Sequence, residues 1–195
     1  NIRMEKIIVK NKEYDVIEQL DENCYVINFK KKKAFVQKFV SKDELLNFME
    51  VSKKIKNSGV NSPKVLMYDK KSYSFVREYL EGEIVFDRLV KNGLSDDVYD
   101  QLFQQFWYAR VDRLGLDYHT DKWLISGGKL YYLPYIYGKY TSKDDFLKND
   151  IKQWFLSKEF AEFAKEKGFE IDESLMPSEY ELNRKITLIS VKFYR

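Results

Sequence analysis

The chain has one cysteine, Cys24, and one histidine, His119. A single cysteine excludes an intrachain disulfide framework and any cysteine-based metal cluster. A single histidine excludes the multi-histidine zinc motifs. Proline and glycine are scarce, at 3 and 8 of 195 residues, and no Pro- or Gly-rich linker or internal repeat is visible. Charge of one sign is not in excess: 34 basic and 31 acidic residues leave a net charge of +3, too little by itself to argue for nucleic acid. No apolar run approaches the ~18 residues of a membrane span. The first residues, NIRMEKIIVKNKEY, lack the apolar core of a secretory signal, so no leader is expected there. These absences leave a reducing, cytoplasmic setting as the expectation.

What is present fits a folded chain with a core. Apolar residues make up 44% and charged residues 33%. The aromatic share is 16%, carried mostly by 15 Tyr and 14 Phe. Most of these rings are expected in the core or on half-buried strands, and Trp107, Trp123 and Trp154 are all expected in the core.

The first 80 or so residues read as an antiparallel sheet interrupted by one helix. KIIVKNKEYDVIEQL gives short strands turning at Asn11-Lys12. CYVINF and AFVQKFV flank Lys30 to Lys33, which makes a hairpin with a basic tip. That tip is either a solvated turn or a weak contact site for anions. SKDE, from Ser41 to Glu44, is a capping box. Leu45, Phe48, Met49, Ser52 and Ile55 then recur at helical spacing until Gly59 and Pro63. VLMYD and YSFVREYL are two further strands around the turn KKS.

After EGE the pattern becomes helical. IVFDRLVKNG is a short helix closed by Gly93. A longer helix has Ser95 as N-cap and ends at Gly115. Its apolar face is Val98, Leu102, Phe106 and Ala109, widened by Tyr99, Phe103 and Val111. One or two helices over residues 141–168 end at Gly168, and another starts at Ser178. The expected organisation is α+β, with a sheet lobe over 1–81, a reduced helical lobe over 82–195 and a polar loop region at 115–135.

This order of elements resembles the protein-kinase-like superfamily, in particular small aminoglycoside-phosphotransferase-like or RIO-like kinases. The resemblance covers about residues 12–155 and is strongest over 115–134. In such kinases a strand lysine holds the nucleotide phosphates and pairs with a glutamate on the next helix. Lys38 in AFVQKFV takes that place, with Glu50 as its partner, since Glu44 is committed to the cap. SFVREYLEGE resembles the adenine-binding hinge, which implies backbone contacts from Glu78, Tyr79 and Leu80.

The stretch LGLDYHTDKWLISGGKLYYLPY, residues 114–135, carries the closest likeness. Small-molecule kinases of this superfamily show a pattern like H-G-D-L-H-P-G-N, three apolar residues, a turn, and two apolar residues before an Asp. Asp117 falls at the catalytic-base position and His119 at the second His. His119 is expected to tie the loop to a backbone carbonyl. The two magnesium positions are altered. Lys122 replaces the Asn, and a lysine has donors but no acceptor. Pro134 replaces the final Asp. No metal residue is therefore assigned. Asp121 is the one nearby carboxylate and would serve only in a rearranged loop. The segment in the place of the Gly-rich loop, QLDENCY, has no glycine and carries Asp21 and Glu22.

The resemblance implies ATP as cofactor, while the altered positions speak against magnesium. The leading expectation is a kinase-like protein without ordinary magnesium-dependent transfer, a pseudokinase serving as a binding or scaffold module for a protein or small molecule. In it, Lys122 supplies fixed charge in place of a metal, paired with Asp117 or a phosphate. One alternative is a divergent, active ATP-dependent kinase using Asp117. Another is an unrelated α+β interaction or nucleic-acid-binding protein.

Overall fold

A computed structural model describes residues 5–135, 137–141 and 145–191. The fold is mixed α+β. It divides into two compact units, one of Asn1–Ile55 with Ser62–Glu81 and one of Lys56–Asn61 with Gly82–Arg195.

The first unit contains β1 (Lys6–Val9), β2 (Lys12–Gln19), β3 (Cys24–Phe29), β4 (Lys32–Lys38), most of α1 (Lys42–Ser58), β5 (Val65–Asp69) and β6 (Ser74–Glu78). The six strands pair antiparallel in the order β1-β2-β3-β4-β6-β5. The first turn is Lys10-Asn11, one residue earlier than expected, with φ of 51° and 63°. Lys30 and Lys31 make the second turn, with φ of 50° and 68°. Lys32 and Lys33 belong to β4 and not to the tip.

The sheet curls. The Lys10 N–H, at the tip of the first hairpin, donates 2.8 Å to Oδ2 of Asp69, the last residue of the opposite edge strand. Asp69 also accepts from the Ser72 hydroxyl at 2.6 Å and from the Lys71 N–H at 3.0 Å. Burial pushes its carboxyl up, but these bonds outweigh burial and hold it below the ordinary carboxylate value. Inside the curl, Ile7, Val9, Tyr25, Ile27, Val36 and Val76 form a buried cluster.

The capping box forms on both sides. Glu44 N–H donates 3.3 Å to the Ser41 hydroxyl, and Val40 N–H donates 2.9 Å to the Glu44 carboxylate. The helix buries Leu45, Phe48, Ser52 and Ile55, as its spacing predicts. Phe48 stacks on Phe75 of β6 at 3.8 Å between centroids. Removing such a ring typically costs ~3–5 kcal/mol.

The second unit contains β7 (Glu83–Ile84), α2 (Val85–Lys91), α3 (Asp96–Val111), β8 (Leu114–Gly115), β9 (Trp123–Ser126), β10 (Lys129–Tyr132), β11 (Gly138–Lys139), α4 (Phe146–Asn149), α5 (Lys158–Glu166) and α6 (Glu179–Ser190). β7 and β10 flank β9 in a small antiparallel sheet. At Gly82, before β7, an added Cβ would stand 2.2 Å from the Ile125 carbonyl oxygen. Only glycine lets these backbones approach so closely.

α3 stops at Val111, four residues before Gly115, because Arg113 turns the chain with φ of 58° and Leu114 enters β8. Ser95 occupies the N-cap without a side-chain bond. Val111 is exposed, and so is Trp107 at 55%, against expectation. Gln105 is buried instead. It accepts from the Asn61 N–H at 2.6 Å, while Gln101 bonds Gly128 O and Leu130 N–H at 2.8 Å each. The helix thus uses an i, i+4 pair of amides to grip the chain at and beside the β9–β10 hairpin.

α5 buries Phe160 and Ala164 and exposes Lys158, Glu162, Lys165 and Glu166. α6 opens after Ser178, whose hydroxyl accepts from Glu181 N–H at 3.2 Å. Residues 142–144 of the expected helical stretch and the tail beyond 191 lie outside the described residues. Among the described residues no helix is long and apolar enough to cross a membrane.

Candidate functional site

The loop of residues 116–122 joins β8 to β9, with Thr120–Lys122 as a 3-10 turn. Buried aromatic side chains fix its backbone. Trp123 Nε1–H donates 2.9 Å to Asp117 O. Asp117 N–H donates 3.0 Å to the Tyr132 hydroxyl. Trp154 Nε1–H donates 2.7 Å to Tyr118 O, and the buried Tyr99 hydroxyl donates 2.7 Å to Trp154 O. Each ring spends its polar tip on the loop or its supports and its apolar body on the core, where Trp123 and Trp154 are fully buried. Burial and the Asp117 charge outweigh the bond from Asp117 N–H and push the Tyr132 phenol up to about 12. Burial also raises Tyr99, with Asp96 adding to it. Tyr118 is raised by burial and by the Asp150 and Asp117 charges. These phenols stay neutral donors and acceptors at ordinary pH.

On this rigid backbone Asp117 folds back on its own loop. Its Oδ1 accepts from His119 N–H at 2.9 Å and meets His119 Nδ1 at 2.6 Å. This is an Asx turn closed a second time by the ring. His119 therefore ties the loop through the Asp117 carboxylate and not through a backbone carbonyl. Its ring stacks on Tyr118 at 4.3 Å and lies 4.9 Å from Phe163 of α5. Among the described residues nothing bonds Oδ2 of Asp117, and the side chain is 28% exposed.

Asp121 is engaged differently. Lys167, just past α5, places Nζ 2.5 Å from Asp121 Oδ2, and Lys122 Nζ lies 3.9 Å from the same oxygen. The Lys167 ammonium also sits 5.3 Å from the Phe163 ring centroid and 5.6 Å from that of Phe86. Lys122 is thus paired with Asp121, not with Asp117. Nothing local in the sequence marks Lys167, which lies 46 positions from its partner and follows no motif.

The hairpin after the loop has the expected layout. Trp123 faces Tyr132, Gly127-Gly128 forms the turn, and Leu133 N–H extends the ladder to Lys122 O at 2.9 Å. Pro134 follows directly.

The residues at this place do not fit magnesium, which the resemblance implies. Lys122 and Pro134 offer no side-chain oxygen, and the Asp121 carboxylate already carries a lysine ammonium. Among the described residues no group of three or more His, Cys, Asp or Glu side chains is arranged to hold a metal ion.

The first unit holds the remaining candidates. Lys38 ends β4 and is half-buried, with its N–H on Asn23 O at 2.8 Å. Glu50 is exposed, because the buried positions of α1 lie on its other face. The two do not form an ion pair. Glu78 accepts from Lys64 N–H at 2.8 Å. Tyr79 is exposed beneath the Lys33 ammonium, 5.4 Å from the ring centroid, and Leu80 is half-buried. In the turn before β3, Asp21 accepts from Asn23 N–H at 2.7 Å, so a side-chain bond shapes a loop that lacks glycine. Burial, followed by the Asp21 charge, raises the Cys24 thiol to about 11, which keeps it protonated.

Set against known proteins, the chain matches no family model and no curated protein.

Proposed function

We propose that this protein is a two-lobed, kinase-like binding or scaffold module that has lost ordinary magnesium-dependent phosphoryl transfer and retains nucleotide binding. The observation that carries the reading is the state of Asp121. This carboxylate, next in sequence to Lys122, has Lys167 at 2.5 Å and Lys122 at 3.9 Å. Beside it, the loop and the Gly-Gly hairpin keep the layout on which the resemblance rests. The test is a thermal unfolding series with ATP, with and without magnesium. A ligand present at 100 times its Kd adds ~2.7 kcal/mol, which is easily read. Stabilisation by ATP supports the reading; its absence under both conditions removes the nucleotide part.

A second reading has its own support. Among the described residues nothing bonds Asp117 Oδ2, and its side chain is partly exposed, as an acceptor for a substrate hydroxyl would need. In that case the protein is an active, divergent ATP-dependent kinase. Phosphate transfer detected by mass spectrometry and abolished in Asp117→Asn establishes it; no transfer from the wild-type chain rejects it.

A further inference from the structure

We propose that Lys122 and Lys167 form a fixed-cation site that takes the terminal phosphate of a polyphosphate without a metal ion. This rests on the nucleotide-binding reading above and names the chemistry of that same loop.

The charge arrangement points there. Two ammonium groups share Asp121 Oδ2, which leaves the trio with a net charge of +1. The carboxylate is the innermost member. Side-chain exposure rises from 18% at Asp121 to 34% at Lys167 and 44% at Lys122. Oδ1 of Asp121 is fully buried, with no hydrogen-bond partner. An approaching anion therefore meets the two ammoniums before the carboxylate. An ammonium has three donor hydrogens, and one contact to Asp121 leaves each lysine with hydrogens to donate.

The arrangement is also held in place. Lys122 N–H donates 3.0 Å to His119 O, which fixes the start of its side chain on the aromatic-clamped loop. Lys167 is held between Asp121 and the Phe86 and Phe163 rings. Two positioned cations beside one carboxylate supply part of the charge of a divalent ion toward a phosphate. They cannot replace its ability to bind oxygens of several groups at once. Such a site favours binding over transfer.

The experiment titrates tripolyphosphate, ATP and adenosine against the full chain in EDTA, read by thermal unfolding and calorimetry. Lys122→Met is the principal variant, because that side chain is exposed. Lys167→Met is the second, and Lys158→Met, an exposed lysine at the other end of α5, controls for general loss of charge. Tripolyphosphate should bind the wild type in EDTA, and Lys122→Met should weaken it about tenfold or more. Lys158→Met should leave it unchanged. Equal affinity in wild type and Lys122→Met overturns the site, as does tripolyphosphate binding that requires magnesium. If ATP binds only with magnesium, this site is overturned and nucleotide binding stands. If tripolyphosphate binds as tightly as ATP and adenosine adds nothing, the site stands and nucleotide selectivity falls. If no ligand binds under any condition, both fall.

Discussion

Two hairpins of the sheet unit and one of the second unit turn with the same hand but different chemistry. Lys10-Asn11 and Lys30-Lys31 adopt φ between 50° and 68°, and Gly127-Gly128 adopts 57° and 76°. Two-residue hairpin loops of this hand match the twist of their strands, and they favour Asn and Gly. A lysine there carries a cost of roughly 1–2 kcal/mol that glycine does not. The sheet unit thus stores strain at its tips and offsets it with packing and side-chain bonds. Lys10 N–H is held by Asp69, and the Lys30 ammonium lies 5.3 Å from the Phe29 ring centroid. The glycine hairpin needs no such help. Its position comes from the Gln101 amide, which reaches across to its backbone. The hairpin bordering the candidate site is therefore placed from outside, while those of the sheet are locked from within.

The contrast can be broken most strongly at Asp69. Asp69→Ala orphans the Lys10 and Lys71 N–H groups and should cost ~3 kcal/mol in denaturant unfolding. The same carboxylate gives a pH signature. Its folded value lies below its unfolded value, so its contribution is complete above about pH 4 and is lost as acid takes the pH down through the folded value. Asp69→Asn should remove that part of the acid-induced loss in a pH series. Gly128→Ala should cost about 1–2 kcal/mol from the backbone alone, since an added Cβ meets nothing within 4 Å. Lys31→Gly should do the reverse and stabilise by about 1 kcal/mol. The smallest effect is expected at Asp117→Asn. The amide oxygen can still accept from His119 N–H, so the melting curve should move by less than ~1 kcal/mol. A large loss there would give Asp117 the structural role that Asp69 holds.

How far the sequence reached depends on the range of each signal. Local patterns were legible. The Ser41–Glu44 cap, the buried face of α1, the Gly-Gly hairpin and the start of α6 are each written within a few residues. Where local signals compete, they slip. Asn11 drew the first turn one residue late, and Gly115 hid the earlier stop that Arg113 imposes on α3. Trp107 is expected in the core simply as a tryptophan, and nothing in the sequence singles out Gln105. The fold exposes the ring and buries the amide, because the backbone beside the hairpin offers Gln105 a partner that a ring could not use. In the candidate site, Asp117, His119, Asp121 and Lys122 lie close in sequence and were found together. Lys167 was not, since an ion pair between distant residues leaves no spacing to read. Glu50 shows the opposite failure: its position suggested a partner, and the helix turned it to solvent.

The placement of the tryptophans decides how unfolding can be watched. All three, Trp107, Trp123 and Trp154, belong to the second unit; two are fully buried and one is 55% exposed. Tryptophan-selective fluorescence is therefore blind to the sheet unit. A water-soluble quencher should dim one emitter of the three, and a red shift should mark the release of the other two. Tyrosine signals or amide exchange must speak for the sheet. Any difference between the two melting curves would reveal which half lets go first.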